Sequence, residues 1–263
     1  MYGNLPLRYF NTRIVEQYQT ERMKKGNKPA TVNNHLATIK HMFTKAVDWN
    51  MVEEEVLKRI RKVKLLEANN RRLRFLSKEE CNSLLDECAF HLKSIVTTAL
   101  NTGMRKEEIL SLKWDNVDLK HGFILLDKTK NGERREIPIN QKLRETISRI
   151  IPRLDVPYVF YNLKSGNRYQ RVTRSFATAC RRAGIRDFKF HDLRHTFASH
   201  LVMAGIDLTT VRELLGHKTL TMTLRYAHLA PSHKVKAVDI LENAINENST
   251  IQKLYNQGIN NNV

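Results

Sequence analysis

A chain of 263 residues, 41% of them hydrophobic, is long enough to bury a real core and too apolar to be disordered throughout. Lysine and arginine outnumber aspartate and glutamate by 45 to 27, a net charge of +18, and a surplus of that size points to a polyanion, nucleic acid first. No apolar run approaches the ~18 residues of a membrane span, so a membrane protein is excluded. Residues 1–10 lack the continuous apolar stretch of a leader, and Cys81, Cys88 and Cys180 form no CxxC pair and read as reduced thiols. The expected compartment is the cytoplasm, at the nucleoid.

Asn11 or Thr12 is placed to cap a first helix carrying Ile14, Val15 and Tyr18 and ending towards Gly26. A second helix is expected from Pro29 or Thr31, with Val32, Leu36, Ile39, Phe43, Ala46 and Val47 at helical spacing. Its other face carries Lys40, His41 and Lys45, either a solvated face or one that meets a DNA backbone. A basic, glycine-free stretch runs from Lys58 through Lys64 to Arg71-Arg72-Leu73-Arg74, and the linker is placed in its second half, at 67–72. Ser77-Lys78-Glu79-Glu80 then reads as a capping box that opens a new helix and a second domain, 73–263.

Residues 91–100 read as a helix broken by Gly103, with the next starting near Met104 and holding Arg105 in its first turn. An arginine there offers a rigid fork of donors for two phosphate oxygens, and Glu108, one turn on, is placed to orient it; a surface ion pair is the plainer reading. The runs 123–127 and 135–139 flank Asn131-Gly132, a strong hairpin signal. Lys130 sits at the lip of that hairpin, where its ammonium either is simply solvated or protonates a leaving alkoxide, and Lys128 is its rival.

Helices are expected to dominate from there. His191 and Arg194 share a helical face, while Leu193, Phe197, Leu201 and Ala204 form an apolar stripe that would pack inward. Asp192 is either a helix cap or a partner for His191. Asp207 is placed to cap a short helix closed by Gly216, with His217 held just past the glycine and unburied. Tyr226, nine residues on, lies on another short helical stretch. A tyrosine attacks phosphorus if its oxygen loses a proton, and nearby guanidinium groups are expected to favour the phenolate.

These segments together resemble the tyrosine recombinase (phage integrase) family. Thr102-Gly103-Met104-Arg105-Lys106-Glu107-Glu108-Ile109-Leu110-Ser111-Leu112 is similar to its first arginine box, and Thr129-Lys130-Asn131-Gly132 ahead of Ile137-Pro138-Ile139 to its lysine hairpin. His191-Asp192-Leu193-Arg194-His195-Thr196-Phe197-Ala198-Ser199 resembles its second box, and Leu215-Gly216-His217 followed by Tyr226-Ala227-His228 its closing box. The resemblance implies a mainly helical two-domain DNA clamp: a helical core-binding domain and a mixed α+β catalytic domain with a small antiparallel sheet. Arg105 and Arg194 would hold the scissile phosphate, Tyr226 would attack it to leave a 3′-phosphotyrosyl link, and Lys130 would protonate the departing 5′-oxygen. His191 would serve as acid or base and His217 would hydrogen-bond the phosphate. No cofactor, nucleotide or metal is implied.

The implied partner is double-stranded DNA, bound by a homotetramer, with a monomer in solution as the alternative. Residues 1–66 resemble the second half of a core-binding domain that normally has one or two more helices ahead of it, so a short version is expected. Backbone contacts fall to Lys40, His41, Lys45, Arg71, Arg72 and Arg74. Residues 232–255 look like the family's terminal helix, which docks on a neighbouring protomer, and 256–263 are a polar tail. The competing readings are a DNA-binding accessory or inactive integrase, a type IB topoisomerase-like nicking and closing enzyme, and a metal-dependent phosphohydrolase built on the histidines.

Overall fold

Asn11 opens the first helix, its side chain accepting the Ile14 N–H at 3.1 Å, and α1 runs Thr12–Lys24. Proline, which is pre-set for a first helical turn, starts α2 at Pro29–Asp48. A third helix, α3 (Glu54–Arg61), falls where the sequence shows mostly charge. Its Glu54–Lys58 and Glu55–Arg59 pairs are exposed at helical spacing, while Val56, Leu57 and Ile60 turn inward. The three helices share a core of Val15, Leu36, Phe43, Val56, Leu57, Ile60 and Val63. This computed structural model describes residues 5–68, 72–126 and 134–231, and the chain divides into two units, Met1–Arg72 and Leu73–Val263.

In the second unit the capping box forms as the residues dictate: Ser77 Oγ accepts the Glu80 N–H at 3.1 Å and Glu80 accepts the Ser77 N–H at 2.9 Å. It opens α4 (Lys78–Asp86), followed by α5 (Phe90–Thr102) and the short α6 (Lys106–Leu110). The sheet is antiparallel in the order β1 (Val117–Asp118), β2 (Phe123–Leu126) and β3 (Arg135–Pro138). β2 and β3 are the expected arms, paired with Ile124 opposite Ile137 in the core, and β1 is an addition too short to show a period of its own. The turn itself, 127–133, lies outside the described residues. Helices α7 (Gln141–Ser148), α8 (Thr173–Arg182), α9 (Asp192–Met203) and α10 (Leu208–Leu215) follow, then 3-10 turns at Leu220–Met222 and Leu224–Leu229. The architecture is mainly helical with a small antiparallel sheet, and among the described residues no helix is long and apolar enough to cross a membrane.

Helix α9 departs from the single inward stripe expected of it. Leu193 is fully buried, but Phe197 and Leu201 are only partly so, and Ala204 is exposed just past the helix end. Burial instead runs through Asp192, Leu193, Arg194, His195, Thr196, Ala198, Ser199 and Val202, most of the circumference. The cause is its place between two apolar clusters. Leu193 belongs to the main core with Ile95, Ala99 and Phe176, whereas Ala198 and Val202 join Val211, Leu215 and Tyr226. A helix covered on both sides has its polar side chains buried too, and these become the site.

A candidate catalytic pocket

Two glycines set the geometry. α5 ends at Gly103 and α10 at Gly216, both left-handed with φ of 60° and 61°, so each helix stops abruptly with its last carbonyls aimed out of the turn. Arginines collect these carbonyls. Arg194 donates from Nη1 to Gly103 at 2.7 Å and from Nη2 to Leu215 at 2.5 Å. Arg105 Nη2 reaches the Gly216 carbonyl at 3.2 Å, and Arg135 Nη1 donates to the Leu215 carbonyl as well. The negative ends of two helix dipoles thus anchor guanidinium groups that would otherwise repel one another.

Glu108 completes the cage. Arg105 is the residue just before α6, not in its first turn, and its backbone N–H donates to Glu108 Oε2 at 2.8 Å while its Nη1 donates to Oε1 at 2.7 Å. Arg135 Nη2 donates to the same carboxylate at 2.8 Å. Burial alone would raise the Glu108 carboxyl, but Arg135 and Arg105 outweigh it and hold it below the usual range. Arg194 is pressed down from its ordinary value by burial first and then by Arg105 and Arg135, and as an arginine it keeps its charge. Three guanidinium groups against one carboxylate leave a surplus of positive charge suited to an anion.

That surplus faces a pocket of about 230 Å³ lined by Arg105, His191, Arg194, His195, His217, Met222, Arg225 and Tyr226. It is smaller than the ~300–1,000 Å³ of drug-sized ligand sites, on the scale of a small anion. His217 is half-buried rather than unburied, its Nδ1 hydrogen-bonded to Thr223 Oγ1 at 2.9 Å. Burial and then Arg194, Arg105 and Arg135 push it down to about 4. His191 is lowered by burial and Arg194, and its ring stands edge-on to that of His195, centroids 5.1 Å apart. Asp192 braces the turn into α9, its Oδ2 accepting the Lys189 N–H at 2.8 Å, and its charge acts on His191, partly offsetting the lowering by burial and Arg194.

Tyr226 lies in the 3-10 turn Leu224–Leu229, only 1% exposed, its hydroxyl 2.6 Å from His195 Nδ1. As expected, the guanidinium groups of Arg225 and Arg194 favour its phenolate, but they do not decide its state. Burial is the larger effect and lifts the phenol to about 12, with Arg225 and Arg194 offsetting only part of it.

Arg105, His191, Arg194, His217 and Tyr226 therefore come together in one pocket with Glu108 behind them, while Lys130 and its rival Lys128 lie outside the described residues. His195, Arg135 and Thr223 were not foreseen as site residues. A signal existed for two of them: His195 is one helical turn from His191, and Arg135 shares the inward face of β3 with Ile137. The expected DNA-backbone residues differ in what already engages them. Lys40 is occupied by the carbonyls of Val63 (2.7 Å) and Arg61 (3.3 Å), and Lys45 pairs with Asp48 at 2.9 Å. Arg74 pairs with Glu80 at 2.6 Å, His41 and Arg72 are exposed, and Arg71 is outside the described residues.

The pattern defining the phage integrase family matches residues 74–233. The integrase of Salmonella phage P22 is 34% identical over 220 residues, covering 78% of this chain and 55% of its own length. That of Haemophilus phage HP1 is 32% identical over 260 residues, covering 90% and 69%. The chain thus spans about half to two thirds of these relatives. The solved catalytic domain of bacteriophage HP1 integrase superposes with a TM-score of 0.53 at 34% identity, over 64% of this chain and 95% of that one. The Tn1549 transposon integrase in complex with circular intermediate DNA gives 0.72 over 89% of this chain and 86% of that one, and at 20% identity that likeness shows the fold. With a family pattern spanning more than half of its length, this chain belongs to the phage integrase family, the tyrosine recombinases.

Proposed function

We propose that this chain is a site-specific DNA recombinase that breaks and rejoins strands through a 3′-phosphotyrosyl intermediate, with neither metal nor ATP. The observation that carries the reading is the Tyr226 hydroxyl in a pocket lined by Arg105, Arg194, His191 and His217. A phosphodiester there meets two forked guanidinium groups on its non-bridging oxygens, which stabilise the added charge of the five-coordinate transition state. Glu108 holds Arg105 in its orientation, His217 donates a further hydrogen bond, and His191 handles protons. Tyr226 attacks phosphorus, and the 5′-oxygen leaves with a proton from Lys130. The energy of the broken bond stays in the protein–DNA link, and a partner strand's 5′-hydroxyl reverses the step.

Residues 1–66 act in this reading as a core-binding unit, 67–72 as linker and 73–263 as the catalytic unit, and the working assembly is a homotetramer on double-stranded DNA in the cytoplasm. His41, Lys45 and Arg72 are its exposed candidates for backbone contact, whereas Lys40 is held by the Val63 and Arg61 carbonyls. The test is covalent trapping. Wild type and Tyr226→Phe are incubated in EDTA with supercoiled plasmid carrying the flanking genomic DNA, then quenched with detergent. An adduct with wild type alone supports the reading; binding by both with an adduct from neither makes the chain a binding module, and loss of wild-type activity in EDTA favours metal-dependent hydrolysis.

A further inference from the structure

Tyr226 has to lose a proton as it attacks, and solvent cannot take it directly from a residue 1% exposed. The group in contact with that proton is His195, whose Nδ1 lies 2.6 Å from the hydroxyl and which is itself 8% exposed. We propose that His195 is the base that accepts the Tyr226 proton, and that it becomes competent when a phosphodiester enters the pocket. The inference rests on Tyr226 being the nucleophile, and it gives a task to a histidine that the reading above leaves idle.

The geometry supports more than a satisfied buried hydroxyl. His195 sits in the first turn of α9 beside Arg194, so its position is fixed by the same helix that holds the phosphate-binding guanidinium. The His191 ring packs against it from the helix entrance, Arg225 and Tyr226 face it from the 3-10 turn, and His217 faces it from the end of α10. Burial first, then Arg225, His191, Arg194 and His217, push His195 down to about 3. The pocket alone therefore keeps the imidazole neutral, with a lone pair free to accept from the phenol. A phosphodiester between Arg105 and Arg194 brings further negative charge to this cation-rich cluster, and an imidazolium beside it is then favoured. Proton affinity thus rises only when substrate is in place.

The step balances. The Tyr226 O–H bond breaks, its proton passes to His195 Nδ1 and its electron pair forms the O–P bond. The P–O5′ pair departs with the 5′-oxygen, which takes its proton from Lys130 in the reading above. When a 5′-hydroxyl attacks the phosphotyrosine, His195 returns the proton to the leaving phenolate.

Two measurements test this. In single-turnover adduct formation on the supercoiled plasmid, His195→Asn keeps an acceptor near the Nδ1 position but cannot take a proton. Its rate should fall ~10²–10⁴-fold with DNA binding retained, and should climb about tenfold per pH unit as the equilibrium fraction of Tyr226 phenolate rises. An adduct rate within about threefold of wild type with an unchanged pH profile would make His195 a merely structural partner. The second needs no variant: ¹⁵N-histidine NMR of the wild-type protein should show the His195 proton on Nε2 with Nδ1 bare, and a proton fixed on Nδ1 overturns the proposal. Failure of the underlying reading looks different, because then Tyr226→Phe forms the adduct as well as wild type, or wild type forms none.

Discussion

Glu108 is the charge on which the arginine cage turns. Replacing it by Gln leaves Arg105 and Arg135 facing each other with no anion between them, and unpairing a buried ion of this kind costs about 3 kcal/mol. In a unit of this size that is a fall in Tm of about 6–12 °C, readable by calorimetry. Because the folded carboxyl is held below its usual value, its stabilisation is complete above pH ~4.3 and disappears as pH falls through the folded value. The histidines add a second acid limb. In the unfolded chain an imidazole takes its proton near pH ~6.5. Folded His217 waits until about 4, so the unfolded state binds more protons between those values and acidification destabilises the fold there. An anion held by Arg105 and Arg194 offsets part of that repulsion. Sulfate, whose charge is constant over this range, should therefore raise Tm over a chloride control more at pH ~5 than at pH ~7. Equal gains would mean that sulfate acts only by exclusion from the surface.

At the scale of elements, the two left-handed glycines make a contrasting pair. A Cβ on Gly103 would stand 2.4 Å from Phe197 Cδ1 and 2.9 Å from Leu215 Cδ2, inside packed apolar side chains. A Cβ on Gly216 would meet the Arg135 guanidinium Nη1 at the same 2.4 Å, a group that can swing away. Both alanines carry the ~1–2 kcal/mol of a left-handed residue with a side chain. Gly103→Ala adds overpacking of ~1–3 kcal/mol and should show its effect chiefly in denaturant midpoint. Gly216→Ala should lose adduct formation as well as stability, since Arg135 must release Glu108 or the Leu215 carbonyl. Ends such as these were readable because caps are local: Asn11, Ser77, Asp207 and Gly216 each act within a few residues of their own position. What escaped sequence reading is non-local. α3 looks like a basic run until Val56, Leu57 and Ile60 find α1 and α2, and Arg135 reads as an ordinary strand residue until α10 brings the Leu215 carbonyl to it. The identities of Arg105, His191, Arg194, His217 and Tyr226 lay in the motifs. The burial that sets the state of the Tyr226 phenol did not, because it depends on α9 and α10 closing around it.

For the whole molecule, on the reading proposed above, the governing quantity is the charge of +18 and how much of it is available to DNA. The affinity that such charge gives is counterion release, so log K should fall linearly with log salt with a slope of about −0.9 for each phosphate neutralised. Six or more contacts would lose ~10³–10⁵ in affinity between ~50 and ~200 mM salt. The structure divides the basic residues into those that can contribute to that slope and those that cannot. Lys40 lies under the end of α3, donating to the Val63 and Arg61 carbonyls, so Lys40→Ala should lower Tm and leave the slope unchanged. Arg72 is exposed, so Arg72→Ala should reduce the slope by about one on DNA of arbitrary sequence. Fluorescence anisotropy at several salt concentrations separates the two. A slope change of about one for Lys40→Ala would mean that its carbonyl contacts are given up when DNA arrives, and that the N-terminal unit rearranges on binding.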